Sequence, residues 1–149
     1  MRVVYFDCPS GAAGDMIMAS LLDAGVPVAA LRTELGKLAL EGWELRAREV
    51  MKGVFRATKV DVEIDRGAHR YQRSLRDILE ILERSALAPS VKERAARIFT
   101  RLADAEARVH GTDRESVHFH EVGAVDAIVD VTGAVLALDL AMDQQRHGA

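Results

Sequence analysis

Residues 117–130 read Val117-His118-Phe119-His120-Glu121-Val122-Gly123-Ala124-Val125-Asp126-Ala127-Ile128-Val129-Asp130. Two histidines, one glutamate and two aspartates thus sit in an otherwise apolar setting. An ionisable group is costly to desolvate unless it meets a partner, a proton or a metal. His118 and His120 are two apart, and on an extended segment both imidazoles point to one side. Paired imidazoles on one face commonly hold zinc, nickel or a related divalent ion. An H-x-H alone is equally at home on the wet face of an edge strand. Asp126 and Asp130 are four apart, which puts both carboxylates on one face of a helix. The helix dipole accounts for Asp126 near the start but not for Asp130, a turn further in. Two carboxylates on a buried face must share a proton, pair with arginine, or bind a cation. With His118, His120 and Glu121 just upstream, a cation is the expected partner.

A second constellation is Ser10-Gly11-Ala12-Ala13-Gly14-Asp15. A glycine-containing loop ahead of a helix offers backbone N–H groups to a phosphate. It has neither the lysine of a P-loop nor the third glycine of a dinucleotide fingerprint, so both are rejected. Asp15 repels a phosphate unless a metal lies between them, and otherwise serves as a helix N-cap. Asp7 is a candidate second oxygen ligand. Cys8 reads as a small buried hydrophobe, and as the single cysteine it makes no internal disulfide, which suits a reducing compartment. His69, His110 and His147 are assigned no function.

The elements that must position these groups follow from periodicity and punctuation. Val3 to Phe6 predicts a short buried strand. A helix is expected over Met16–Ala24, capped by Asp15 and closed by Gly25, with another after Pro27 burying Leu31, Leu35 and Leu38. Alternation over Trp43–Arg48 and Thr58–Ile64 about Gly53 predicts an antiparallel hairpin, with a bulge near Phe55 and Ala57; Trp43 and Phe55 are expected in the core. Residues 65–73 read as a loop. Ser74 opens a helix with a capping-box pattern, and Ser90 a second, whose stripe runs Val91, Ala95, Ile98, Leu102, Ala105 and Val109 to a stop at Gly111. Ser116 to His120 is expected extended. A helix over about Val122–Met142, apolar nearly all round, is expected at the centre of the fold. The order is not the regular alternation of a doubly wound sheet. The fold class is α+β: one domain over 1–149, a small mixed or antiparallel sheet covered by helices.

Composition removes several classes. With 49% hydrophobic and 29% charged residues over 149 positions, the chain can bury a core and is not disordered. Residues 41–110 carry fifteen basic against twelve acidic side chains, a mixed surface and no nucleic-acid stripe. Asp126, Asp130 and Asp139 argue against reading 122–141 as a membrane span. Neither nucleic acid nor membrane is an expected partner, and the expected compartment is the cytoplasm.

Several of these segments together resemble a known family. Tyr5-Phe6-Asp7-Cys8, Ser10-Gly11-x-x-Gly14-Asp15-Met16, Leu-Leu-Asp-Ala-Gly at 21–25, Ala57-Thr58-Lys59-Val60, Ala105-Glu106-Ala107-x-Val109-His110-Gly111 and above all 117–126 are similar to the N-terminal region of the LarC nickel insertion family. The resemblance spans the chain to about Asp139. It implies a lyase-class nickel chelatase that inserts nickel into pyridinium-3,5-bisthiocarboxylic acid mononucleotide, making the nickel-pincer cofactor of lactate racemase. It implies dependence on CTP with Mg or Mn, through a C-terminal domain absent here and expected in cis or in trans. On this expectation His118, His120, Asp126, Asp130 and Asp7 hold nickel, and Ser10, Gly11, Gly14 and Asp15 cradle the substrate. Two other readings stay open: a non-catalytic metal-binding or assembly module, and a metal-dependent hydrolase.

Overall fold

A computed structural model describes residues 3–65, 73–119 and 123–147. Alternating β-branched and polar residues on either side of a two-residue turn form the hairpin β1 (Trp43–Lys52) and β2 (Phe55–Ile64). Pairing is antiparallel and continuous from Trp43↔Ile64 to Lys52↔Phe55, so the expected bulge is absent. The apparent phase slip at Phe55 and Ala57 reflects exposure at the hairpin tip: Phe55 is 74% exposed and not a core residue. Trp43 does pack against the core.

Helices cover this hairpin. α1 (Gly14–Asp23) and α2 (Val28–Leu35, entered from Pro27) precede it; α3 (Leu75–Arg84) and α4 (Pro89–His110) follow. α3 starts with the expected capping box: Asp77 N donates to the Ser74 hydroxyl, and the Asp77 carboxylate accepts from Ser74 N. Gly111, at φ 64°, ends α4 in the left-handed conformation that glycine adopts most readily. A 3-10 turn (Arg114–Ser116) leads to β4 (His118–Phe119), which pairs antiparallel with β3 (Arg73–Ser74). Ser116 is therefore in a tight turn, not extended. α5 (Val125–His147) runs from this point. Residues 132–137 of α5 are all buried, as an apolar circumference requires. The core gathers Met18, Leu21, Leu31, Leu35, Leu45, Phe99 and Phe119 with Ile128, Val129 and Leu136 of α5.

Three further expectations change. Val3 to Phe6 is not a buried strand: Val3 is 74% and Tyr5 84% exposed, and no described strand pairs with it. β-branched and aromatic residues favour a strand only where a partner and a packing face exist. Cys8 is likewise exposed, not a buried hydrophobe. In α4 the buried row is Val91, Ala95, Phe99, Ala103, Ala107, while Val109 and Ala105 face solvent. Steps of four follow the helix's i±4 ridge, along which its neighbours pack. The 65–73 loop falls mostly outside the described residues.

Candidate functional site

α1 and α5 run side by side in one direction, and two glycines set their spacing. An added Cβ on Gly14 would lie 2.6 Å from the Asp130 carbonyl oxygen, and one on Gly133 would overlap the Met18 thioether. Because the helices are parallel, their N-terminal ends meet. Asp15 sits in the first turn of α1 and Asp126 in the first turn of α5. Each accepts from the next residue's amide, Met16 N at 2.8 Å and Ala127 N at 3.0 Å. Asp15 is thus inside the helix; the N-cap is Ala13, with no side-chain cap. Both carboxylates occupy places where the helix dipole favours an anion.

Asp130 has no such support. It lies one turn further along α5, and its Oδ1 is buried without a hydrogen-bond partner among the described residues. Burial, then the charges on Asp15 and Asp126, push its carboxyl up to about 7. An acid desolvated beside two anions holds its proton unless a cation replaces it. Asp15 and Asp126 are therefore close enough to act on Asp130, and the field at this helix pair suits a positive charge.

The other expected site residues fall as follows. Asp7, Ser10 and Gly11 are exposed, on the segment leading into α1, and Asp7 is not among the charges acting on Asp130. Gly11 closes a turn, its amide donating to the Cys8 carbonyl at 2.9 Å with φ 79°. His118 lies in β4 opposite Ser74, but its side chain is outside the described residues, as is all of His120. Among the described residues no three His, Cys, Asp or Glu side chains form a metal-holding group. The aspartates alone are not a cage.

Two residues escaped sequence reasoning. Arg73 donates from Nη1 to the Gly123 carbonyl at 2.8 Å, tying β3 to the entry of α5. Gly123 is hemmed in there, since a Cβ would meet Arg73 N at 3.0 Å. Arg73 closes a polar stretch without periodicity, which gives no signal of a long-range bond. Asp139 accepts a two-pronged ion pair from Arg94, including Nη1 to Oδ1 at 2.6 Å, joining α4 to α5. Its charge had served only as an argument against a membrane span; among the described residues no helix is long and apolar enough to cross one.

Comparison with known proteins agrees with this framework. The family model described as nickel insertion protein matches residues 4–145. The chain is 49% identical over 136 residues to the pyridinium-3,5-bisthiocarboxylic acid mononucleotide nickel insertion protein of Desulfitobacterium hafniense, covering 91% of this chain and 33% of that one. It is 46% identical over 146 residues to the protein of that name from Geobacillus kaustophilus, covering 93% and 36%. The corresponding Akkermansia muciniphila protein is 44% identical over 147 residues, covering 94% and 36%. No solved structure matches. The chain spans about a third of the length of the curated relatives it matches. With a family model matched along nearly its whole length, the chain belongs to the nickel insertion protein family.

Proposed function

We propose that this chain takes part in inserting nickel into a pyridinium-3,5-bisthiocarboxylic acid mononucleotide, with the metal as cargo received beside the paired starts of α1 and α5. The observation that carries the reading is the buried, unpartnered Asp130 Oδ1 beside Asp15 and Asp126. A divalent cation there displaces a proton and offsets the repulsion among the carboxylates. Nickel accepts imidazole nitrogen and tolerates carboxylate oxygen; His118 and His120 supply the nitrogens, Asp130 and Asp126 the oxygens, and Asp7 a further oxygen. The Ser10–Asp15 loop cradles the pincer end of the substrate, beside the metal. On this reading the chemistry is of the metal-inserting lyase class and cytoplasmic. It draws on CTP and Mg or Mn through the C-terminal part of the family's length, in cis or in trans.

One observation favours a second reading. Because no three ligands converge among the described residues, the chain can be a metal-binding or assembly module that completes its site only with the remaining family length.

Nickel titration tests the first reading. Wild type takes up nickel, and Asp130→Asn and the His118→Ala/His120→Ala double variant each lose at least about tenfold in affinity, the effect expected for losing one metal ligand or its support. Equal affinity in all three sinks the site. An insertion assay with CTP, with and without a C-terminal portion from a relative, separates the two readings. Turnover by this chain alone eliminates the assembly module, and CTP-independent phosphatase or amidase activity points to the hydrolase.

A further inference from the structure

The carboxylates at the start of α1 and α5 make that end of the molecule a poor place for an anion, yet a mononucleotide carries a phosphate. A groove elsewhere has the opposite character. The last turns of α4 carry Arg101 and Arg108, seven residues apart and so on one face. Asp104 lies between them at helical spacing and is the natural partner for either. It is taken instead by Arg114, whose Nε donates to Asp104 Oδ1 at 2.5 Å. That bond raises the Arg114 guanidinium above its ordinary value.

The local backbone makes this exchange of partners possible. The left-handed turn at Gly111 reverses the chain, and Thr112 N donates to the Ala107 carbonyl at 3.0 Å. Asp113 then caps the 3-10 turn by accepting from Ser116 N at 2.8 Å, which holds Arg114 facing α4. Arg101 and Arg108 make no ion pair or hydrogen bond with the described residues. The result is an open groove of about 740 Å³ lined by Arg101, Arg108, Arg114, Asp104, Glu115 and Thr112. Its size is in the range of small-molecule sites.

We propose that this groove binds the phosphate end of a mononucleotide. Guanidinium forks match phosphate oxygens in pairs and are weakly hydrated, so two unpaired forks on one face make a phosphate clamp. Arg114, oriented by Asp104, supplies a third positive edge. Glu115 and Thr112 on the rim offer acceptors and a hydroxyl to a sugar. A helix C-terminus favours cations, so the backbone keeps arginines here but does not itself attract the anion. The side chains hold the ligand. The assignment rests on the reading that this chain handles a pyridinium mononucleotide, and it separates the phosphate-holding residues from the metal-holding ones.

The test uses the whole chain and three probes: nicotinate mononucleotide, nicotinate riboside, which lacks the phosphate, and inorganic phosphate. Binding is followed by backbone amide shifts and calorimetry. The mononucleotide is expected to bind saturably, to move amides in 101–115, and to bind at least tenfold tighter than the riboside. Inorganic phosphate is expected to compete with it. Arg101→Ala/Arg108→Ala lowers the mononucleotide affinity at least tenfold, while Arg76→Ala, a charge removed from α3, leaves it unchanged. Equal affinity for the double variant, equal binding of the riboside, or no saturable binding by folded wild type overturns the proposal. Nickel titration of the same samples keeps the two ideas apart. Mononucleotide binding without nickel binding sinks the nickel site and leaves the groove standing, and nickel binding without mononucleotide binding sinks the groove alone.

Discussion

Between its ordinary value and about 7, folded Asp130 keeps a proton that an unfolded aspartate has lost. The folded chain therefore binds more protons than the unfolded one across this window, and its stability falls as pH rises from about 4 to about 7. Below about pH 4 both states are protonated and the penalty is absent. Asp61 and Asp77 are held low, first by hydrogen bonds from Lys59 and Ser74, so their contribution is lost only at acid pH, outside the window. Asp130→Asn should flatten the stability profile from pH 5 to 8 and leave the chain more stable than wild type at pH 8. Denaturant midpoints at the two pH values read this out; a variant with the wild-type slope would show that Asp130 is not the group responsible. Gly14 argues the same contact from the other side. Gly14→Ala drives a Cβ into the Asp130 backbone, which no side-chain rotation relieves, so a loss of about 2–3 kcal/mol is expected. At Gly133 the obstacle is the flexible end of Met18, and Gly133→Ala should unfold at a higher temperature than Gly14→Ala. The reverse order of melting temperatures would mean the helices are not spaced by Gly14. Asp130 and Gly14 were both conspicuous in the sequence, one as a carboxylate too deep in an apolar helix and the other as a loop glycine. That they touch was not legible, because parallel packing of α1 on α5 joins positions more than a hundred residues apart.

Elements with local punctuation were readable, and those whose limits depend on a neighbour were not. The capping box at Ser74 is a contiguous chemical pattern, and it formed as written. Ser74→Ala removes the acceptor for Asp77 N and should lower stability by about 1 kcal/mol, while Ser74→Thr, which keeps the hydroxyl, should recover most of it. Chemical denaturation checks the pair; equal losses for both would point to packing rather than the cap. The hairpin was legible for the same reason, since alternation and a two-residue turn fix its register locally. α4 shows the limit. Ile98 and Phe99 are adjacent and both apolar, so the sequence supports two stripes, and only the crossing of neighbouring helices selects Phe99. The Val3–Phe6 segment marks the other limit, because strand propensity without a described partner leaves an exposed apolar run.

At the scale of the whole molecule, α5 is the element against which the others pack, and the buried run 132–137 is its centre. Amides there are hydrogen-bonded within a stretch of helix whose residues are all buried, so they should exchange only when the domain opens globally. Among the described residues no third strand pairs with the hairpin, and Val54 at its tip is 85% exposed. Its outward amides should exchange by local fraying. Residues 3–10, exposed and joined to no described strand, should exchange fastest. Hydrogen exchange followed by NMR or mass spectrometry should therefore rank 128–137 slowest, α1 and α4 next, the hairpin tip faster and 3–10 fastest. Equal protection of 128–137 and the hairpin tip would displace α5 from the centre. The ranking bears directly on the site, because its halves belong to opposite ends of the scale. Asp130 rides on the last element to open, while Asp7, Ser10 and Gly11 lie on the first. A cation bridging them would have to raise protection of residues 7–11 while leaving 128–137 unchanged. Adding nickel to the same exchange experiment measures whether the mobile and rigid halves are drawn together, and unchanged protection at 7–11 would confine the metal to the helix pair and exclude Asp7 from its ligands.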